Sequence, residues 1–174
     1  WYTMDKIIAG LTSVYVLTGN EQALQVVSRL GDWVYERTAR WTKETQETVL
    51  AVEYGGMNET MYDLYRVTGK KEHALAAHKF DEMPLFEALF EGKDILNGKH
   101  ANTTIPEIIG CAAVYEATKI TRYRDIVLAY WKCAVTDRGY FVTGGQTNGE
   151  IWTPKHRQAS RLGERNQEHC SVYN

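Results

Sequence analysis

The sequence predicts an all-α fold of stacked helical hairpins, with a long irregular segment near the C-terminus. Three observations predict it. A block recurs as Val14-Tyr15-Val16-Leu17-Thr18-Gly19, Leu64-Tyr65-Arg66-Val67-Thr68-Gly69 and Val114-Tyr115-Glu116-Ala117-Thr118-Lys119, its Tyr and Thr spaced by 50 residues. Periods of that length mark stacked supersecondary units. Apolar residues around the blocks fall at helical spacing. From Gly144 to Cys170 no helical or strand period holds, and long irregular segments in compact domains are usually functional or disordered.

Each unit reads as two helices. In the first, Ile7, Ile8, Leu11, Val14 and Tyr15 share one face, and Gly19 is a left-handed stop. Asn20 caps a partner helix striped by Leu24, Val27, Leu30 and Val34. The second unit runs from about Asn58 to Gly69, then from about Lys71 to Phe90, bent or ended near Pro84. In the third, Thr104 and Glu107 form a capping-box pattern with Pro106 in the first turn. Its helix carries Ile108, Cys111, Ala112 and Tyr115, and Thr121 is expected to cap the partner helix with Ile126, Tyr130 and Cys133. The hairpins therefore occupy 1–135, a loop 136–168, and a further helix starts at 169–174. Within the loop, Arg138 to Val142 reads as a short extended piece. Helix pairs of this kind build an open α-solenoid or a closed α/α toroid, with connectors gathered at one end.

Composition narrows the partners. The chain has 174 residues, 44% apolar and 24% charged, with a net charge of -2. That length supports one domain with a real core, and the charge gives no pull toward nucleic acid or anionic lipid. No apolar run is long enough to span a bilayer. Three cysteines without clustered spacing argue against a disulfide framework. The chain begins at Trp1 inside a helical pattern, which reads as a piece of a longer protein.

The chemistry gathers in the connectors and the irregular segment. Glu168 and Cys170 are one residue apart; a carboxylate and a thiolate so spaced suit zinc, or else Cys170 is a buried helix-start thiol. Glu150, beside Trp152 on a Gly-supported turn, is a proton-donor candidate; an exposed loop Glu is the alternative, and Glu164 competes for the role. His100 either meets a sugar hydroxyl or satisfies backbone groups where its helix begins. The connector with Glu53, Tyr54, Asn58 and Glu59 is more polar and aromatic than a plain link requires. Trp152, Tyr54 and Tyr2 are stacking candidates. His73 and His78 read as surface residues of an outer helix, Cys111 and Cys133 as core thiols. No phosphate loop, basic stripe or Ser-His-Asp arrangement appears.

Several blocks together resemble a known family. They are Trp1 to Leu11, Gly55-Gly56-Met57-Asn58-Glu59 with Asp63-Leu64-Tyr65, Leu96 to Thr103, Tyr140 to Glu150, and Glu168-His169-Cys170. Their order is similar to bacterial β-L-arabinofuranosidases of glycoside hydrolase family 127 and its close relatives. The resemblance implies an (α/α)6 toroid, of which the chain would be about the middle half, and an anomer-retaining glycosidase. It implies a zinc ion held by one Glu and three Cys, one Cys being the nucleophile, with a separate Glu as acid and then base. Carried over, Glu168 and Cys170 are zinc ligands, Glu150 the acid/base and His100 a sugar contact. Tyr54, Asn58 and Trp152 are expected to line the substrate site. The nucleophilic Cys lies downstream of the Glu-x-Cys block in the family, and Cys111 and Cys133 do not match it, so the piece alone is expected to be inactive. Asp5 stands where the family commonly has a His. The expected partner is a small carbohydrate, with a second copy or the rest of the domain covering open helix flanks. The alternatives are a non-catalytic α-solenoid binding module, and a carboxylate-only α/α-toroid glycosidase or lyase using Glu53, Glu59 or Glu150.

Overall fold

In the computed structural model the described residues are 1–52, 54–140 and 144–162, and they hold eight α-helices and one short antiparallel hairpin. The predicted all-α class is what the described residues adopt. The residues form two units, one from 1 to 82 with 116–118, the other from 83 to 115 with 119 onward.

The repeated block is a helix stop. In the first unit α1 (Tyr2–Thr18) and α4 (Met57–Thr68) end alike: Gly19 and Gly69 both take φ 69°, each donating its N–H to the carbonyl of Tyr15 or Tyr65. The hydroxyls of Thr18 and Thr68 donate back to the Val14 and Leu64 carbonyls at 2.6 and 2.8 Å. The third copy ends α7 (Ala101–Thr118) the same way, with Lys119 at φ 60° donating to Tyr115 O. A left-handed residue there satisfies a carbonyl that the helix end would orphan. The three repeat tyrosines are half-buried.

Still in the first unit, α2 (Glu21–Thr38) starts at Asn20 as predicted, the Asn20 Oδ1 accepting from Ala23 N–H at 3.0 Å. Helices α1, α2, α4 and α5 (Lys71–Ala77) pack around Ile8, Val27, Met57, Met61, Leu64 and Ala76. The single helix expected over 71–90 is two, because α5 stops at Ala77 and α6 starts at Met83 (Met83–Phe90). Between them Phe80 turns into an aromatic cluster, 5.3 Å from Trp1 and 5.2 Å from Trp41. Pro84 takes the second position of α6, where its missing N–H costs nothing. Helix α3 (Lys43–Leu50), capped by Thr42, buries no residue, so no apolar stripe announced it. His73, expected at the surface, is fully buried. Gly31 makes the room: a Cβ there would come within 2.6 Å of the ring. Thr68 and Asp32 face its two nitrogens at 2.8 and 3.2 Å. On α1, Ile7, Val14, Val16 and Leu17 stay exposed.

In the second unit, α6, α7, α8 (Thr121–Trp131) and a π-helical turn over Lys132–Thr136 surround a core of Leu85, Phe86, Leu96, Ile105, Ile126 and Tyr130. Helix α7 begins at Ala101, so Thr104 and Glu107 are buried within it and form no capping box. The reason is tertiary: Ala101 N–H donates to Glu150 O at 2.8 Å, and the loop supplies the cap. Strands β1 (Thr147–Asn148) and β2 (Ile151–Trp152) pair antiparallel, Thr147 with Trp152 and Asn148 with Ile151. The extended piece expected at 138–142 is a turn at Arg138; residues 141–143 lie outside the described residues, as does the helix expected from His169. Cys111 and Cys133 are both buried, as expected of core thiols.

Candidate active site

The β1–β2 hairpin turns through Gly149 and Glu150, which have φ 59° and 63°. Positive φ at both central residues is the type I′ hairpin turn, whose twist matches that of the strands it joins. Glycine adopts it freely. A Glu there carries backbone strain of about 1–2 kcal/mol, since its Cβ crowds the following carbonyl. Asn148-Gly149 is a strong turn dipeptide, yet the turn sits one residue further on, and that places Glu150 at its tip.

The hairpin is stitched to the start of α7. Gly98 N–H donates to Trp152 O at 3.0 Å, Trp152 N–H to Lys99 O at 2.9 Å, and Ala101 N–H to Glu150 O at 2.8 Å. The result sets two predicted residues side by side: His100 Nε2 lies 2.8 Å from Glu150 Oε2. His100 Nδ1 meets the Thr103 hydroxyl at 2.8 Å. Both side chains reach solvent, His100 32% and Glu150 41% exposed.

Trp152 stands behind this pair rather than beside it. It is 2% exposed, donates Nε1–H to Thr104 Oγ1 at 2.8 Å and meets the Tyr130 ring edge-on at 6.0 Å. The indole is spent on holding the hairpin down, and presents no face for a sugar to stack on. Arg138 anchors the other end. Only 1% exposed, it grips both Asp94 oxygens at 2.8 and 3.0 Å and donates to the carbonyls of Thr153 and Cys133, each at 2.6 Å. Burial pushes the Asp94 carboxyl up, but the guanidinium and the Leu96 N–H outweigh it and hold it below the usual range. Sequence reading missed Arg138, Asp94 and Thr104 as supports; a lone Arg after a helix carries no pattern that would give it away.

Tyr54 and Asn58 belong to the first unit, and both are buried. Tyr54 stacks on Phe80 at 6.4 Å, and Asn58 Oδ1 accepts the Glu59 N–H at 2.8 Å. Close by in the fold, Asp5 is 2% exposed and ties α1 to the start of α4. Its carboxylate accepts from Gly56 N–H at 3.1 Å and from the Thr60 hydroxyl, and pairs with Lys6 at 2.8 Å. Gly55, at φ 70°, makes this approach possible, because a Cβ would meet the Asp5 Oδ2 at 2.6 Å. Burial, then the charges of Asp63 and Asp5, raise the Glu59 carboxyl to about 7.

Glu168 and Cys170, the expected metal ligands, and Glu53 and Glu164 fall outside the described residues. Among the described residues no group of three or more His, Cys, Asp or Glu side chains is placed to hold a metal ion. None of the described helices is long and apolar enough to cross a membrane.

A search among curated proteins gives no match. The family model described as Beta-L-arabinofuranosidase, GH127 catalytic domain, matches residues 1–174. That is every block the resemblance rested on, including the stretches that carry His100 and Glu150. The chain thus belongs to the glycoside hydrolase family 127 β-L-arabinofuranosidase catalytic domains, and is an arabinofuranosidase-like glycoside hydrolase.

Proposed function

We propose that the domain cleaves a terminal β-L-arabinofuranoside with retention, Glu150 serving first as acid and then as base. The carrying observation is the 2.8 Å contact between His100 and Glu150 on a turn that strains Glu150. With the Thr103 hydroxyl donating to Nδ1, His100 keeps its proton on Nε2 and donates to the carboxylate, fixing its direction. When that carboxyl holds a proton, it gives it to the departing glycosidic oxygen. As a carboxylate it then takes a proton from the water that frees the sugar. His100, partly exposed, also offers its ring edge to a sugar hydroxyl.

A carboxylate and a thiolate one residue apart are a donor pair suited to zinc, so Glu168 and Cys170 would hold the metal. Bound there, zinc would keep cysteine sulfur deprotonated at neutral pH. The family resemblance implies that the attacking thiolate is a cysteine other than Cys170, and the buried Cys111 and Cys133 do not match it.

The test is hydrolysis of 4-nitrophenyl β-L-arabinofuranoside by the intact enzyme. Glu150→Gln should lower kcat by about 10²–10⁴, the span of general acid–base contributions. Cys170→Ser should lose bound zinc by metal analysis. Wild-type turnover in Glu150→Gln would sink the assignment. The carboxylate-only alternative has one observation in its favour, the Glu59 carboxyl raised to about 7, which suits a proton donor. It requires Glu59→Gln to abolish turnover, whereas the zinc–thiolate reading leaves the bond-breaking step of that variant intact.

A further inference from the structure

The two residues given to the chemistry ride on different elements. His100 stands at the start of α7, and Glu150 at the tip of the β1–β2 hairpin. A two-stranded hairpin is marginal by itself and needs packing to hold its place. Of its four strand residues, Thr147 and Trp152 pair across the strands and are buried, whereas Asn148 and Ile151 are not. Trp152 is therefore the side chain through which β2 is held.

One hydroxyl meets that side chain. Thr104 is 2% exposed and lies one helical turn beyond His100. Its Oγ1 accepts the Trp152 Nε1–H at 2.8 Å. The same oxygen lies 3.2 Å from the His100 carbonyl, 3.2 Å from the Ala101 carbonyl and 3.1 Å from the Tyr130 hydroxyl on α8. A hydroxyl has one proton and two acceptor sites. The proton goes to the His100 and Ala101 carbonyls, which can only accept. The acceptor sites then take the Trp152 N–H and the Tyr130 O–H. One oxygen thus joins the hairpin, the His100 backbone and α8, and Trp152 is two residues from Glu150.

We propose that Thr104 is the positioning residue of the catalytic pair, its hydroxyl fixing the hairpin on α7 so that Glu150 stays within reach of His100 Nε2. The inference rests on the glycosidase reading. Thr104 is buried, so it acts through Trp152 and the His100 backbone rather than on the sugar. A misplacement of about 1 Å can cost about 10²-fold in rate, so the hydroxyl bears on kcat and not on KM.

Kinetics of the intact enzyme on 4-nitrophenyl β-L-arabinofuranoside test this. Thr104→Val keeps the size and removes the hydroxyl. Its kcat should fall about ten- to a hundredfold with KM unchanged, the signature of an interaction made in the transition state. Trp152→Phe, which removes the N–H, should do the same. The double variant should be little worse than either single one, since both delete one bond. Thr104→Ser keeps the hydroxyl and should retain most of the wild-type kcat. Ile126→Val, in the same core, should lower Tm and leave kcat unchanged. Circular dichroism at the assay temperature checks that each variant is folded; should Thr104→Val not fold, Trp152→Phe set against Ile126→Val decides the question. Wild-type kcat in Thr104→Val, a raised KM with kcat unchanged, a Thr104→Ser enzyme as slow as Thr104→Val, or an equal loss in Ile126→Val would overturn the positioning role. If Glu150→Gln turns over normally, the proposed function itself fails. If Glu150→Gln is slow and Thr104→Val is not, only the role of Thr104 falls.

Discussion

In the first unit, Asp5, Glu59 and Asp63 crowd together along α4, with Lys6 set against Asp5 at 2.8 Å and Arg66 against Asp63 at 3.3 Å. In the second, Asp94 and Asp137 each face a cation with both oxygens, Arg138 at 2.8 and 3.0 Å and Lys132 at 2.9 and 2.7 Å. The same side-chain chemistry gives opposite results. Burial and neighbouring acids raise Glu59 to about 7, and burial first of all raises Asp63. Hydrogen bonding from Lys132 holds Asp137 below the usual carboxylate range, as Arg138 does Asp94. A grip on both oxygens keeps Asp94 and Asp137 ionised, whereas burial beside other acids keeps the Glu59 proton available near neutral pH.

The most damaging way to break the paired side is Arg138→Met. It strands a buried Asp94 and two carbonyl acceptors, and should cost about 3–5 kcal/mol in urea unfolding. The double variant with Asp94→Leu should recover part of that, because the uncompensated charge goes too. On the crowded side, Asp5→Ala leaves the Gly56 N–H and the Thr60 hydroxyl without their acceptor. It should cost about 1–3 kcal/mol by the same measurement, with loss of hydrogen-exchange protection at the start of α4.

Proton linkage separates Glu59 from Asp94 by sign. Glu59 is raised in the fold, so ionisation favours the unfolded chain. Its contribution is complete below 4.5 and is lost as pH rises to about 7. Glu59→Gln should therefore leave Tm unchanged at pH 4.5 and raise it at pH 8. His78 acts in the same direction. The Asp81 hydrogen bond raises it, so its contribution is complete below 6.5 and fades above. Buried His73 is lowered and opposes this below 6.5, which is why each variant should be compared with wild type at the same pH. Asp94 is depressed, so its contribution is present above 3.8 and lost as pH falls through its folded value. Asp94→Asn should accordingly flatten acid unfolding of the second unit. Equal acid curves for variant and wild type would remove the contrast.

The smallest effect tests the repeat. Gly19 and Gly69 occupy the left-handed stop in the first unit, and Lys119 occupies it in the second. Lys119→Gly should stabilise by about 0.5–1 kcal/mol in thermal unfolding, the relieved crowding exceeding the extra chain entropy.

The sequence alone determined the helical class, the hairpin repeat, the Asn20 cap and the stops at Gly19 and Gly69. These rest on contacts a few residues apart, which propensity and spacing encode. It also named His100 and Glu150 as chemistry-bearing, from residue type and their places beside turns. Only the tertiary structure decided that the two touch, because they are 50 residues apart and meet through backbone bonds between the hairpin and α7. It alone buried Trp152 and His73, ended α5 at Ala77 where Phe80 turns into its aromatic cluster, and set Arg138 beneath the loop. Those outcomes depend on which distant surface is available to fill a space or neutralise a charge, and no local pattern in the chain records that.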